Sequence, residues 1–297
     1  MFCTDMTQGI KIEICSIVKN EARYIAEWLE YHFGLGIAHI TLYNNGSEDN
    51  LSEVCSYFDN VTLVEWPERG NQQRTAYQHY LRRSKFRKVW TAFIDADEFI
   101  FDACGTGLNA FVEGLDYDVG GLEMPWVIFD SNNNTLRPKG LVLENYTRKH
   151  AVAPQQNVKT LCRPEAINEE DFRCPHRFSY REGFRSVEVS LNELPLFHYM
   201  LRSTEDVWLK VTRGDVWSRE TERKRLCNVE RAVRSILDKY DNGDTPDFRM
   251  LRFVPELREK LQRRGVYYDD YLVAGRSSVP APSQKSDPEH EGNIRQG

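Results

Sequence analysis

The stretch "WTAFIDADEFIF", from Trp90 to Phe101, constrains this chain more than any other. An apolar run delivers Asp95, Asp97 and Glu98 together, and apolar residues resume at Phe99. Clustered carboxylates repel one another and lose hydration when buried. A fold accepts them where an apolar strand ends at an open edge, within reach of a cation. The residues before the cluster say which edge. "KIEICSIV", Lys11 to Val18, reads as a buried strand. "ARYIAEWLEYHFGLG" is helical, with Ile25, Trp28, Leu29, His32 and Phe33 on one face and Gly34 and Gly36 at its end. "HITLYNN" is a second strand, and the polar run Ser47 to Asn50 opens a helix carrying Leu51, Val54, Cys55 and Phe58 on one side. "VTLVEW" is a third strand closed by Pro67, Gln72 to about Ser84 a third helix, and "KVWTAFI" a fourth strand.

The pattern β-α-β-α-β-α-β predicts an α/β fold whose N-terminal half is an open, mostly parallel sheet with right-handed crossovers. In such sheets ligands gather beyond the carboxyl ends of the strands. Lys19, Asn20 and Glu21 sit at the first of those ends, Asn44, Asn45, Gly46 and Ser47 at the second, and the acidic cluster at the fourth.

The remainder is more mixed. "GGLEMPWVIF", "GLVLENYTRK", "NVKTLCRP" and "LPLFHYML" read as strands, and a helix from about Thr204 passes through Lys210. A longer helix, from about Arg219 to Tyr240, has Leu226, Val229, Val233, Ile236, Leu237 and Tyr240 as its apolar stripe, and a short helix follows Pro255. After about Gly275 the composition turns to Ser, Pro, Gln, Glu and Gly, which predicts a disordered tail over 276–297. The expectation is one domain over 1–275, in two halves at about 10–100 and about 101–275.

In an extended segment Asp95 and Asp97 point to the same side, and Glu98 points away. Two carboxylates so placed suit a hard divalent cation, Mg²⁺ or Mn²⁺, which would offset their repulsion and keep positions open for phosphate oxygens. The plain alternative is a solvated acidic turn. Composition bounds the partners. With 39 basic and 45 acidic residues the net charge is −6, which argues against nucleic acid as a partner. No run of 18 apolar residues suggests a membrane span, so any membrane association would be peripheral. Seven cysteines, none in a C-x-x-C pair, behind a start without an apolar leader, predict reduced thiols and a cytoplasmic setting. Cys162, Cys174 and His176 do not have the spacing of a zinc site.

Three stretches resemble a known family: "SIVKNEARYIAEWLEYHFGLGIAHITLYNNGSEDN", "WTAFIDADEFIF" and "PLFHYMLRSTEDVWLKVTRGD", with "VIFDSNNNTLRPKGLVLENYTRK" as a looser match. In order and spacing, from roughly Ile12 to Asp215, they are similar to GT-A glycosyltransferases of the group around families 2 and 92. The resemblance implies a nucleotide-sugar donor, usually a UDP-sugar, a divalent metal and inversion at the anomeric carbon, with a nucleotide-binding half at about 10–100 and an acceptor-side half at about 101–275. The expected acceptor is a growing glycan, and the reading of the chain as soluble and without an anchor points to a surface polysaccharide intermediate. It makes Asp95 and Asp97 the D-x-D pair and His198 a further metal ligand. It places Asn20, Glu21, Asn45 and Ser47 near the nucleoside, and Lys210 and Arg213 near the diphosphate. Without it, His198 reads equally as a structural strand histidine, Lys210 and Arg213 as one solvated helix face, and the asparagines as turn residues. Arg74, on the third helix, faces either the donor or solvent. Asp130, Glu123 and His176 are the candidate bases; the family often has glycine at the Asp130 position, so that role does not transfer. Trp126, Trp208 and Trp217 could stack on sugars or pack in the core. Two other classes fit parts of the pattern. One is a nucleotide- or glycan-binding protein without turnover. The other is a D-x-D phosphohydrolase, whose motif belongs on a first strand followed by Thr or Val, where this chain has a fourth strand and Phe99.

Overall fold

The structure, a computed structural model, describes residues 9–67, 71–152, 157–213 and 229–266. Trp217, the expected helical residues 219–228 and the expected tail lie outside them. The N-terminal half alternates as its periodicity predicts: β1 (Lys11–Val18), α1 (Ala22–Gly34), β2 (His39–Asn44), α2 (Leu51–Ser56), β3 (Val61–Glu65), α3 (Gln72–Ser84) and β4 (Val89–Phe93). β3, β2, β1 and β4 lie side by side and parallel.

Beyond β4 the sheet turns mixed. The chain forms β5 (Glu98–Ile100), α4 (Leu108–Glu113), β6 (Val119–Ile128), α5 (Val142–Asn145), β7 (Arg148–Lys149), β8 (Val158–Cys162), β9 (Arg185–Glu188), β10 (Leu196–His198), α6 (Thr204–Arg213), α7 (Val229–Tyr240), β11 (Thr245–Pro246) and α8 (Val254–Arg263). The nine-stranded sheet runs β3-β2-β1-β4-β8-β6-β10-β5, with β9 beside β6. β8 is antiparallel to both β4 and β6, so the two expected halves share one continuous sheet. β10 runs parallel to β6 and antiparallel to β5, which sets His198 opposite both Ile128 and Glu98.

One strand expectation fails. "GLVLENYTRK" is a single helical turn, α5, followed by the two-residue β7. Its apolar residues are buried, as in a strand, but the N–H groups of Val142 and Leu143 donate to the Glu27 carboxylate at 2.7 and 3.0 Å, and that of Leu141 to Glu144 at 2.7 Å. Three orphan donors satisfied by side chains stabilise a helix start and leave none for a ladder.

α1 fixes the acidic segment. Ile25, Trp28 and Leu29 are fully buried, each stabilising by about 1.5–3 kcal/mol. Trp28 Nε1 donates to the carbonyl of Glu98 at 2.7 Å, and the Tyr31 hydroxyl to that of Ile100 at 2.7 Å. His32 is fully buried between them. Its Nδ1–H meets the carbonyl of Trp28 at 2.8 Å, and its Nε2 accepts the N–H of Ile100 at 3.3 Å. Both nitrogens are satisfied only in the neutral ring. Burial therefore drives its pKa from 6.5 down to about 3. A folded-state pKa below the unfolded one gives stability that is intact above pH 6.5 and is lost as pH falls from there toward 3. Between pH 7 and pH 5 this residue should cost about 2 kcal/mol of unfolding free energy. Urea unfolding at the two pH values should show that extra loss in the parent protein and not in His32→Gln; equal losses would contradict the assignment.

Candidate active site

The acidic segment is not extended. The N–H of Glu98 donates to the carbonyl of Asp95 at 3.1 Å, closing a tight turn, and the Glu98 carboxylate folds back onto the N–H of Asp95 at 2.8 Å. The reason is topological: the chain must reverse after β4 to deliver β5 antiparallel to β10. The turn sends the two aspartates to different partners, where the sequence led us to expect a shared ligand.

Asp95 accepts the Lys159 ammonium at 2.7 Å on one oxygen and the Gln73 amide at 2.8 Å on the other. Lys159, in β8, is fully buried and also lies 3.8 Å from Glu98. Burial opposes its charge, but Asp95 and Glu98 outweigh burial and raise its pKa. Asp97 accepts the Lys210 ammonium at 2.6 Å, and its other oxygen lies 3.4 Å from His198 Nε2. Burial pushes the Asp97 carboxyl up, yet Lys210 and His198 prevail and hold it well below the usual range. Glu98 goes the other way: burial, only partly countered by Lys159, pushes it well above the usual carboxylate range. Carboxylate repulsion is thus relieved by lysines of the chain itself.

The loops after β1 and β2 clasp each other beside this turn. Asn20, at φ 53°, accepts the N–H of Glu48 on its side-chain oxygen at 2.7 Å, while its own N–H donates to the Ser47 hydroxyl at 3.0 Å. Asn45 donates to the carbonyl of Trp66 at 2.8 Å. Glu21 is buried and grips two arginines, Arg202 at 2.7 Å and Arg213 at 2.6 Å. Burial raises its pKa, but the two arginines more than compensate and bring it to about 2. Arg202, also at φ 53°, stacks its guanidinium 3.9 Å from the Tyr24 ring centre. A non-glycine residue in that conformation costs on the order of 1 kcal/mol, which its buried ion pair offsets. Arg74 is half-buried on α3, next to Gln73.

The base candidates separate. Asp130 is buried and accepts Arg148 Nε at 2.5 Å and the N–H groups of Asn132 and Gly243 at 2.9 Å, a loop-holding role that takes both oxygens. Glu123 is ion-paired to Arg177. His176 meets the carbonyl of Val158 through Nδ1 at 3.2 Å, which leaves Nε2 as the lone-pair nitrogen. Burial first, then the Lys159 charge, lowers its pKa below 6.5. Trp126 touches both histidines, its ring centre 5.5 Å from that of His176 and 4.4 Å from that of His198. Trp126 Nε1, Glu98 Oε1 and His198 Nδ1 are buried with no protein partner.

Sequence reasoning missed Lys159, Gln73 and Arg202. Lys159 had a legible signal, a lone lysine inside the apolar strand "NVKTLC". Lys159→Met should lower unfolding stability by about 3 kcal/mol, because it strands the buried Glu98 and the part-exposed Asp95 without a cation. Lys159→Met/Asp95→Asn should recover most of that. Urea midpoints of the single and double variants decide it: additive losses would mean the pair does not interact.

A mixed sheet in this order, with a D-x-D turn leaving its fourth strand, is the GT-A architecture of glycosyltransferases. Residues 12–241 match the model of glycosyltransferase family 92, and the chain belongs to that family. A family 92 protein of Oryza sativa subsp. japonica is 29% identical over 192 residues, 63% of this chain and 32% of that protein. One from Ricinus communis is 29% identical over 209 residues, 66% of this chain and 37% of that protein. The chain thus spans about a third of the length of these relatives. Among solved structures, glucosyl-3-phosphoglycerate synthase from Mycobacterium tuberculosis, in complex with Mn²⁺, UDP-glucose and phosphoglyceric acid, aligns over 80% of this chain and 82% of its own at 14% identity, with a TM-score of 0.36.

Proposed function

We propose that this protein transfers a sugar from a nucleotide-sugar, a UDP-sugar by resemblance, to a hydroxyl of a glycan acceptor, with inversion. The observation that carries the reading is the Asp97–His198 edge, one carboxylate oxygen and one imidazole nitrogen 3.4 Å apart, with Lys210 on the second carboxylate oxygen. That spacing fits two adjacent ligands of a six-coordinate Mg²⁺ or Mn²⁺, ions that take few protein ligands and leave the rest to water and phosphate. His198 Nδ1 and Glu98 Oε1, both without hydrogen-bond partners, face each other at 3.9 Å, so a shift of about 1 Å would bring the acid into place to orient the ring. The expected D-x-D pair accordingly divides: Asp97 and His198 would hold the cation, and Asp95 stays with Lys159.

When bound, the cation would stabilise the charge that builds on the departing diphosphate. The chain supplies the rest. Lys210 and Arg213 lie on Asp97 and Glu21, close enough to turn toward phosphate oxygens when the donor arrives. Asn20, Asn45 and Ser47 shape the loop pair against which the nucleoside would lie, and Arg74, half-buried on α3, would be a further donor contact. His176 Nε2 takes the proton of the acceptor hydroxyl as that oxygen attacks the anomeric carbon. The carbon–oxygen bond to the diphosphate breaks, its electron pair leaves with the phosphate oxygen, and one displacement inverts the centre.

Charge coupling offers the test. Lys159, Arg202, Lys210 and Arg213 already balance the carboxylates, so a divalent cation alone adds uncompensated positive charge and a nucleoside diphosphate alone adds negative charge. Each should favour the other. Calorimetry should show UDP binding tightened at least tenfold by Mn²⁺, and a panel of UDP-sugars with glycan acceptors should release UDP. Metal-coupled binding with no transfer to any acceptor would leave a binding protein, and turnover of phosphate esters without UDP release would leave a hydrolase.

A further inference from the structure

The end of the sheet opposite the acidic turn carries "RRSKFRK", residues 82–88, with five cations in seven positions. Phe86, at the centre of the turn between α3 and β4, is 89% exposed. We infer that this turn docks the protein on an anionic membrane surface, with Phe86 entering the headgroup boundary and the flanking cations contacting lipid phosphates and carboxylates.

Local structure does not use the cluster up. Arg82 and Arg83 close the last turn of α3, where the helix dipole favours cations. That account does not reach Arg87 and Lys88, which follow the turn, nor a phenyl ring in water. Two carboxylates meet the cluster: Glu169 takes Arg82 and Lys85, and Glu13 takes Arg87. Arg83 and Lys88 are exposed. Lys11 joins them, since it opposes Val89 in the register of β1 and β4. A groove of about 800 Å³ opens beside the turn, and Lys11, Arg83 and Arg87 line it, so a headgroup has somewhere to go.

Charge complementarity selects the occupant. The whole chain carries −6, so an anionic surface repels most of the molecule and attracts this end. A ring on a convex turn, ringed by long basic side chains, suits a flat, soft interface, where an aromatic sits at headgroup depth and basic side chains extend to the charge. Docked this way, the protein would face its acidic turn away from the bilayer, because β4 separates the two ends by about 17 Å.

Flotation of the whole protein with vesicles tests this. Phosphatidylcholine vesicles with 30% phosphatidylserine (~100 mM salt) should carry it, pure phosphatidylcholine should not, and ~500 mM salt should release it. Phe86→Ser, and separately Arg83→Glu/Lys88→Glu, should each lower vesicle partitioning at least tenfold while circular dichroism and UDP binding stay unchanged. Failure of the parent protein to float, equal binding to neutral vesicles, or undiminished binding by both variants would each overturn the inference. So would retention of the parent protein by a single-stranded oligonucleotide in preference to the anionic vesicles.

Discussion

Asp97→Ala is expected to lower transfer by on the order of a thousandfold and to abolish the tightening of UDP binding by Mn²⁺. Asp97 holds three relationships at once: an edge with His198, the Lys210 ammonium, and the turn that reverses the chain into β5. Losing the carboxylate removes the oxygen ligand and frees Lys210, so metal-free UDP affinity should hold or rise slightly while the metal response disappears. That split separates a ligand from a residue that merely supports the fold, whose loss would weaken both. Asp95→Ala makes the contrast. Its partners are Lys159 and Gln73, so it should cost stability and alter the metal response less. An Asp97→Ala protein with an intact Mn²⁺ response would eliminate the Asp97–His198 edge as the cation site.

His176→Ala is the second large effect, a loss of about 10²–10⁴ in kcat with little change in UDP binding. The pH profile identifies the cause. A base must be unprotonated, and burial together with Lys159 lowers the His176 pKa. On the proposed function, the parent protein should therefore hold its transfer rate as pH falls to 6.5 and decline only below that. His176→Ala should lose the acid limb along with the rate. Glu123→Gln, which also breaks the Arg177 pair, should keep the limb. A parent-like rate in His176→Ala would move the base to Glu123.

The N-terminal half was legible because its signals are local. Helix faces and strand lengths follow from periods of 3.6 and 2, and α3 occupies the span from Gln72 to Ser84 that its pattern indicates. The acidic segment announced a site for the same reason. What lay out of reach were relationships across distance in the chain. Lys159 meets Asp95 from 64 residues away, and Arg202 meets Glu21 from 181. No period links such pairs; they depend on β8 entering antiparallel beside β4 and on the approach of α6 to α1. The reading of Asp95 and Asp97 on one side assumed an extended backbone, where the demands of β5 impose a turn. Buried apolar residues likewise disguised α5, whose helical start depends on Glu27 from another helix.

The insertion of β8 between β4 and β6 also sets the order in which the molecule can become competent. Closing a long loop costs entropy that only later contacts repay. The parallel strands β1 to β4 can gather early, yet at that stage Asp95 and Glu98 have no buried cation, and Asp97 has neither His198 nor Lys210. A nascent chain would carry its acidic turn unpaired until residue 159 and then residues 198 to 213 arrive. The assembled charge network is therefore a readout of completed folding, and nucleotide binding should be absent from any fragment that stops short of α6.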